Sequence, residues 1–191
     1  MSKGIRQYIG LFSAILTYYL VHEGAHLAYA LSVGAFRQIN FMGLGVQIGI
    51  HEEQMSNLQL GIFCLSGAVA TTVAAYALTL AASRIAKAGS KVFKACLYYI
   101  TMAMLLIDPL YLSVLCGFFG GGDMNGIALL FPEWAARSFF GAMLAIHCLL
   151  FWRMVLPKYK RAFEEPRSGC EAMPSSSSRR TARLSKPGNG S

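Results

Sequence analysis

His22, Glu23 and His26 stand in the pattern H-E-x-x-H inside the apolar stretch YLVHEGAHLAYAL, residues 19–31. On a helix the two histidines project from one face a turn apart, where both imidazoles can hold one metal ion, and Glu23 lies beside that face. Zinc in hydrolytic sites takes three protein ligands and keeps one position for water, whose pKa falls toward about 7. A carboxylate beside that water can take its proton and later return it to a leaving amine. The chemistry such a pattern would carry is metal-assisted hydrolysis of a peptide bond, with Glu23 as base and then acid. Ionisable residues inside an apolar span are costly, which favours a working site over simple polar contacts between helices.

Such a site needs a third ligand, and the candidates are Asp108, Asp123, Glu133, His51 and His147. Asp123 fits best by position. It stands in GFFGGGDMNGIALLFPEW, where Gly117 and Gly120 to Gly122 break a helix and Asp123 can N-cap the next short one. Irregular backbone at membrane depth is tolerated where it lines a cavity. Asp108, in LLIDPLYL, is the rival: it could ligate the metal, orient a ligating histidine, or fill the gap that Pro109 leaves. Glu133 and His51 are read as interfacial and His147 as an interhelical polar residue. Asn125, two positions past Asp123, is a candidate donor to a developing oxyanion.

The elements that must position these groups follow from composition. The 191 residues are 55% hydrophobic and 14% charged, too apolar for a soluble domain of that size. Four stretches, near 7–33, 58–83, 93–117 and 134–156, reach the roughly 20 apolar residues that a bilayer-spanning helix needs. Rich in Ala, Leu, Gly and Ser and without period-two alternation, they predict an all-α polytopic bundle of about four transmembrane helices. After the first helix, the apolar positions Phe36, Ile39, Phe41, Leu44, Val46, Ile48 and Ile50 include an alternating run, which predicts a short β-hairpin-like insertion turning near Gly43 and Gly45. It must lie at the interface or be covered by protein, and its edge could accept an extended peptide or serve only as a connector.

Basic residues sort by connection. Lys3 and Arg6 precede the first span, Arg84, Lys87, Lys91 and Lys94 lie between the second and third, and Lys158, Lys160 and Arg161 follow the fourth, while 118–133 carries none. The positive-inside rule then puts both termini and the middle loop in the cytoplasm of a multi-pass cell-membrane protein. The net charge of +8 reports topology and an anionic lipid bilayer rather than nucleic acid. Lys3, Arg6, the apolar run and Ala28-Tyr29-Ala30 have the order of a secretory signal, but the charged residues at 22–26 interrupt it. The five cysteines show no C-x-x-C spacing and are expected as small buried hydrophobes, not zinc ligands. The chain divides into a transmembrane domain over 1–160 and a basic, Ser-rich cytoplasmic tail over 161–191, too poor in large apolar residues to fold. No internal repeat is visible.

Taken together, these residues resemble the site-2 protease family of intramembrane zinc metalloproteases, in particular its short members. The likeness runs from about residue 8 to 156 and rests on His22, Glu23 and His26, on the small-residue stretch CLSGAVATTVAAY, and on an aspartate at a later broken helix, Asp123. It implies zinc held by His22, His26 and Asp123, Glu23 as the catalytic residue, and a membrane protein or peptide as substrate, cut in or beside a transmembrane segment. Two departures stand out: Gly126 comes three positions after Asp123 where the family's best-known pattern has glycine directly following, and the loop charges place the site nearer the outer face, whereas many members open to the cytosol. The alternative is a non-catalytic membrane protein that keeps this fold to bind a partner helix or a metal ion.

Overall fold

The computed structural model of the chain describes residues 2–42, 45–118 and 122–164. It is mostly helical: α1 (Lys3–Ser32), α2 (Asn57–Ala86), α3 (Lys91–Ser113), a short α4 (Asp123–Ile127), α5 (Glu133–Leu150) and α6 (Leu156–Glu164). Serines start the first three. Ser2 accepts from the Ile5 amide, Ser90 from the Phe93 amide, and Ser56 forms a reciprocal capping box with Gln59. A π-helical turn, Phe151–Val155, joins α5 to α6, so the last helix runs without a break past the expected domain boundary at 160. The tail from 165 onward lies outside the described residues.

The expected insertion is a two-stranded antiparallel hairpin, β1 (Phe36–Met42) and β2 (Gly45–Ile50), pairing Ile39 with Ile48 and Phe41 with Val46. Of the two expected turn residues, Gly45 is the first residue of β2, while Gly43, with Leu44, lies outside the described residues. An irregularity between Phe36 and Gln38 shifts the register at its base. Ile48 is buried and joins the apolar core at this end of the bundle.

Among the described residues, three helices are long and apolar enough to cross a membrane: Asn57–Ala86, Lys91–Ser113 and Glu133–Glu164. α1 is equally long at 30 residues but is not among them. The polar residues of its second half, His22, Glu23 and His26 among them, lower its hydropathy. The third helix also ends at Ser113, earlier than expected, and gives way to a 3-10 turn over Leu115–Gly117.

Helix contacts follow periodic stripes of small residues. On α1 the buried positions are Gly10, Ala14, His22, His26 and Ala30, four residues apart or a multiple of four. On α2 they include Gly61, Cys64, Gly67, Ala68, Thr71, Ala75, Thr79 and Ala82, which let neighbouring backbones approach closely. Two apolar clusters result. One gathers Ala30, Phe63, Ala68 and Leu112, the other Ala14, Ala75, Met104 and Leu105. Between them, along α1, α2 and α3 alike, lies a polar layer holding His22, His26, Thr71 and Asp108, all buried. Of the cysteines, Cys64 and Cys116 are buried, Cys96 is intermediate and Cys148 is exposed against the expectation, all as free thiols. Cys170 lies outside the described residues.

Candidate metal centre

The polar layer is built by register. Tyr18, His22 and His26 are one turn apart on α1, and Phe63, Gly67 and Thr71 are one turn apart on α2, so two facing stripes bring their side chains together. Gly67 is where they touch. A Cβ there would stand 2.6 Å from His26 Nε2 and 2.7 Å from His22 Nε2, so no larger residue fits without displacing both rings.

Asp123 arrives from the other side. Gly122 has φ of +45°, a conformation other residues rarely adopt, and starts α4 so that Asp123 is its first helical residue. The expected N-cap role is therefore corrected: Gly122 occupies the cap, and the Asp123 carboxylate is turned toward the histidines. Its Oδ2 is 3.2 Å from His22 Nε2 and 3.5 Å from His26 Nε2, while the two Nε2 atoms are 3.2 Å apart. His22, His26 and Asp123 form one group of potential ligand atoms.

The protonation pattern follows from the outer partners. His26 Nδ1 lies 2.7 Å from the Phe63 carbonyl, which can only accept, so Nδ1 carries the proton and Nε2 a lone pair. His22 Nδ1 lies 3.1 Å from Asp108 Oδ1 and is likewise the donor. Three lone-pair-bearing atoms thus converge. A proton on one Nε2 relieves only part of that triangle, whereas a single cation satisfies all three atoms at once. Ligands at ordinary zinc–nitrogen distance in tetrahedral geometry lie about 3.3 to 3.4 Å apart. The observed triangle matches that spacing, and the donor set of two imidazoles and a carboxylate suits zinc.

Asp108 is 2% exposed, and as a buried carboxylate it needs several donors. It has three: the Tyr18 hydroxyl on Oδ1, the Thr71 hydroxyl on Oδ2, and His22 Nδ1. It therefore sits behind His22, on the far side of the ring from Asp123. The other three candidates are engaged elsewhere. Glu133 pairs with Arg137 at 3.0 Å, and His51 with Glu53 at 2.9 Å. The Glu53 carboxyl is held below its ordinary range by its own backbone amide and then by His51. His147 donates from Nδ1 to the Leu105 carbonyl at 2.7 Å and accepts from the Tyr76 hydroxyl at 2.9 Å. Leu105 is the residue whose helical bond Pro109 deletes, so His147 repairs the gap in α3.

Half-buried Glu23 faces the Ile48 backbone amide of β2. It lines a cavity of about 470 Å³ together with Tyr18, His22, His26 and Asp123. A second cavity of about 610 Å³ extends from Arg37 and Gln38 of the hairpin to Asn125 and Gly126. The two meet at Gln47, Ile48, Phe63, Gly122 and Asp123. Asn125 is exposed and lines the second cavity, not the first. Tyr18, Thr71 and Gly67 were not singled out by motif. Tyr18 stands one turn before His22, a spacing that sequence does carry, but the partnership of Thr71 with Asp108 depends on the register of α2 against α3. No family model, curated protein or solved structure matches the chain.

Proposed function

We propose that this protein is an intramembrane zinc metalloprotease of the site-2 type, with α1 as a fourth spanning helix and a membrane protein or peptide as substrate. The observation that carries the reading is the triangle of His22 Nε2, His26 Nε2 and Asp123 Oδ2, 3.2, 3.2 and 3.5 Å on its edges, with Glu23 on the wall of the same cavity. Bound zinc would supply a Lewis acid for the scissile carbonyl and a lowered pKa for water. Glu23 takes one proton from the attacking water as its oxygen bonds to the carbonyl carbon, and returns a proton to the amide nitrogen as the C–N bond breaks. Asp108 and the Phe63 carbonyl hold the two imidazoles in the ligating tautomer throughout.

A substrate helix must unwind to expose its carbonyl, and β2 borders both cavities, so an extended segment has a strand to lie along. Asn125 lines the neighbouring cavity and not the one that holds Glu23, so the role expected for it as an oxyanion donor has no support in the placement of its side chain.

Metal content and cleavage of a transmembrane peptide, measured side by side, test the reading. Glu23→Gln is expected to keep about one zinc per chain and lose cleavage, and Asp123→Ala to lose both. Normal proteolysis by either variant would falsify the mechanism. Metal binding without cleavage by the unaltered chain, across a range of substrates, would leave the non-catalytic alternative.

A further inference from the structure

At the opposite end of the bundle from the metal centre, a cavity of about 540 Å³ opens between the first turns of α1, the start of α3 and the end of α6. Lys3, Arg6 and Lys160 line it, and among the described residues none of the three has an ion-pair partner. One carboxylate, Glu164, faces them. The rest of the wall is largely aromatic, with Tyr98, Tyr99 and Phe163 contributing. The wall is fixed in place: buried Lys94 donates to the Ala162 carbonyl at 2.7 Å and sits over the Phe163 ring, fastening α6 to α3 and leaving its own charge occupied.

We infer that this cavity binds the phosphate of an anionic lipid headgroup, with Lys3, Arg6 and Lys160 on the phosphate and the aromatic wall on the glycerol and first acyl carbons. Unpaired cations from two helices converge on a space large enough for a headgroup and too apolar for a solvated ion alone. They do so at the end of the bundle that also carries Arg84, Lys87 and Lys91, where the positive-inside rule places the anionic leaflet. The inference is independent of the metal centre.

The test places the full chain in phosphatidylcholine bilayers and measures the protein-bound fraction of trace spin-labelled phosphatidylglycerol against spin-labelled phosphatidylcholine. High salt screens diffuse surface attraction during the measurement. The expected result is a preference for phosphatidylglycerol, falling about fivefold for each cavity cation removed. Arg6→Gln with Lys160→Gln should abolish it. Lys158→Gln with Arg161→Gln removes the same charge from α6 outside the cavity and should leave it intact. No preference in the unaltered chain overturns the inference, whatever the variants do, as does equal loss in both double variants. Displacement of the label by inorganic phosphate would assign the cavity to a free anion instead and overturn the lipid assignment.

Discussion

Asp108 Oδ1 lies 3.1 Å from Nδ1 of His22, on the side of the imidazole away from His26 and Asp123. The pair ties the middle of α3 to the stripe of α1 that carries His22 and His26, and hydroxyls from Tyr18 and Thr71 complete the carboxylate's partners. A carboxylate behind a ligating histidine raises the ring's basicity and fixes its orientation. Asp108→Asn keeps the shape but offers His22 an amide that can donate to Nδ1 and reverse its tautomer. Zinc affinity, measured by competition with a chromogenic chelator, is expected to fall about 10- to 100-fold. Complete loss of zinc equal to that of Asp123→Ala would instead make Asp108 a ligand.

Gly67→Ala separates packing from ligation. Alanine is better than glycine in a helix by up to about 1 kcal/mol, so the substitution should not disrupt α2 itself. Its methyl, however, would stand 2.6 to 2.7 Å from the two Nε2 atoms. We expect an intact far-ultraviolet helical signal with zinc affinity reduced at least tenfold, about 1.4 kcal/mol. Parent-like affinity would show that the rings can retreat and that their observed spacing is not required.

His147 and Pro109 form a test of the repair in α3. His147→Leu leaves the buried Leu105 carbonyl without its donor, at a cost of about 1–3 kcal/mol. In the Pro109→Ala background the helical amide returns to Leu105, so the same substitution should cost less there. Unfolding measured in detergent for the four proteins of this cycle gives the coupling. Equal cost in both backgrounds would mean that the histidine bond to Leu105 contributes nothing to stability, and zinc content should be unchanged in all four.

Residue types and local spacing made part of this site readable before any fold was known. H-E-x-x-H carries its own geometry because both imidazoles sit one turn apart on a single face, and the alternation from Ile39 to Ile50 has the period of a strand pair. The glycines around Asp123 marked a helix break, yet whether that carboxylate caps α4 or turns inward depends on the φ of Gly122, which composition does not encode. Asp108 was equally open among ligand, orienting group and filler of the gap at Pro109, because which side of His22 it occupies depends on the register of α3 against α1. Gly67 was hidden for another reason. One small residue in a stripe of small residues has no distinguishing mark until the histidine rings lie against it.

The distribution of basic residues makes a prediction about the face toward which the site lies. The hairpin and His26 belong to the end of the bundle opposite Arg84, Lys87 and Lys91, so the positive-inside rule puts them toward the outer side. Single cysteines in a background without the native ones can report this. Glu53→Cys, in the exposed turn after β2, should react with a membrane-impermeant maleimide added to intact cells. Ala88→Cys, in the short connection between α2 and α3, should react only after permeabilisation. Both helices flanking that connection carry basic residues within a turn or two of it, Arg84 on α2 and Lys91 and Lys94 on α3, which is the basis for expecting this loop on the cytoplasmic side. The opposite labelling pattern would invert the protein, place the cavities beside Glu23 toward the cytoplasm, and move the basic cavity at the other end away from the leaflet richest in anionic lipid.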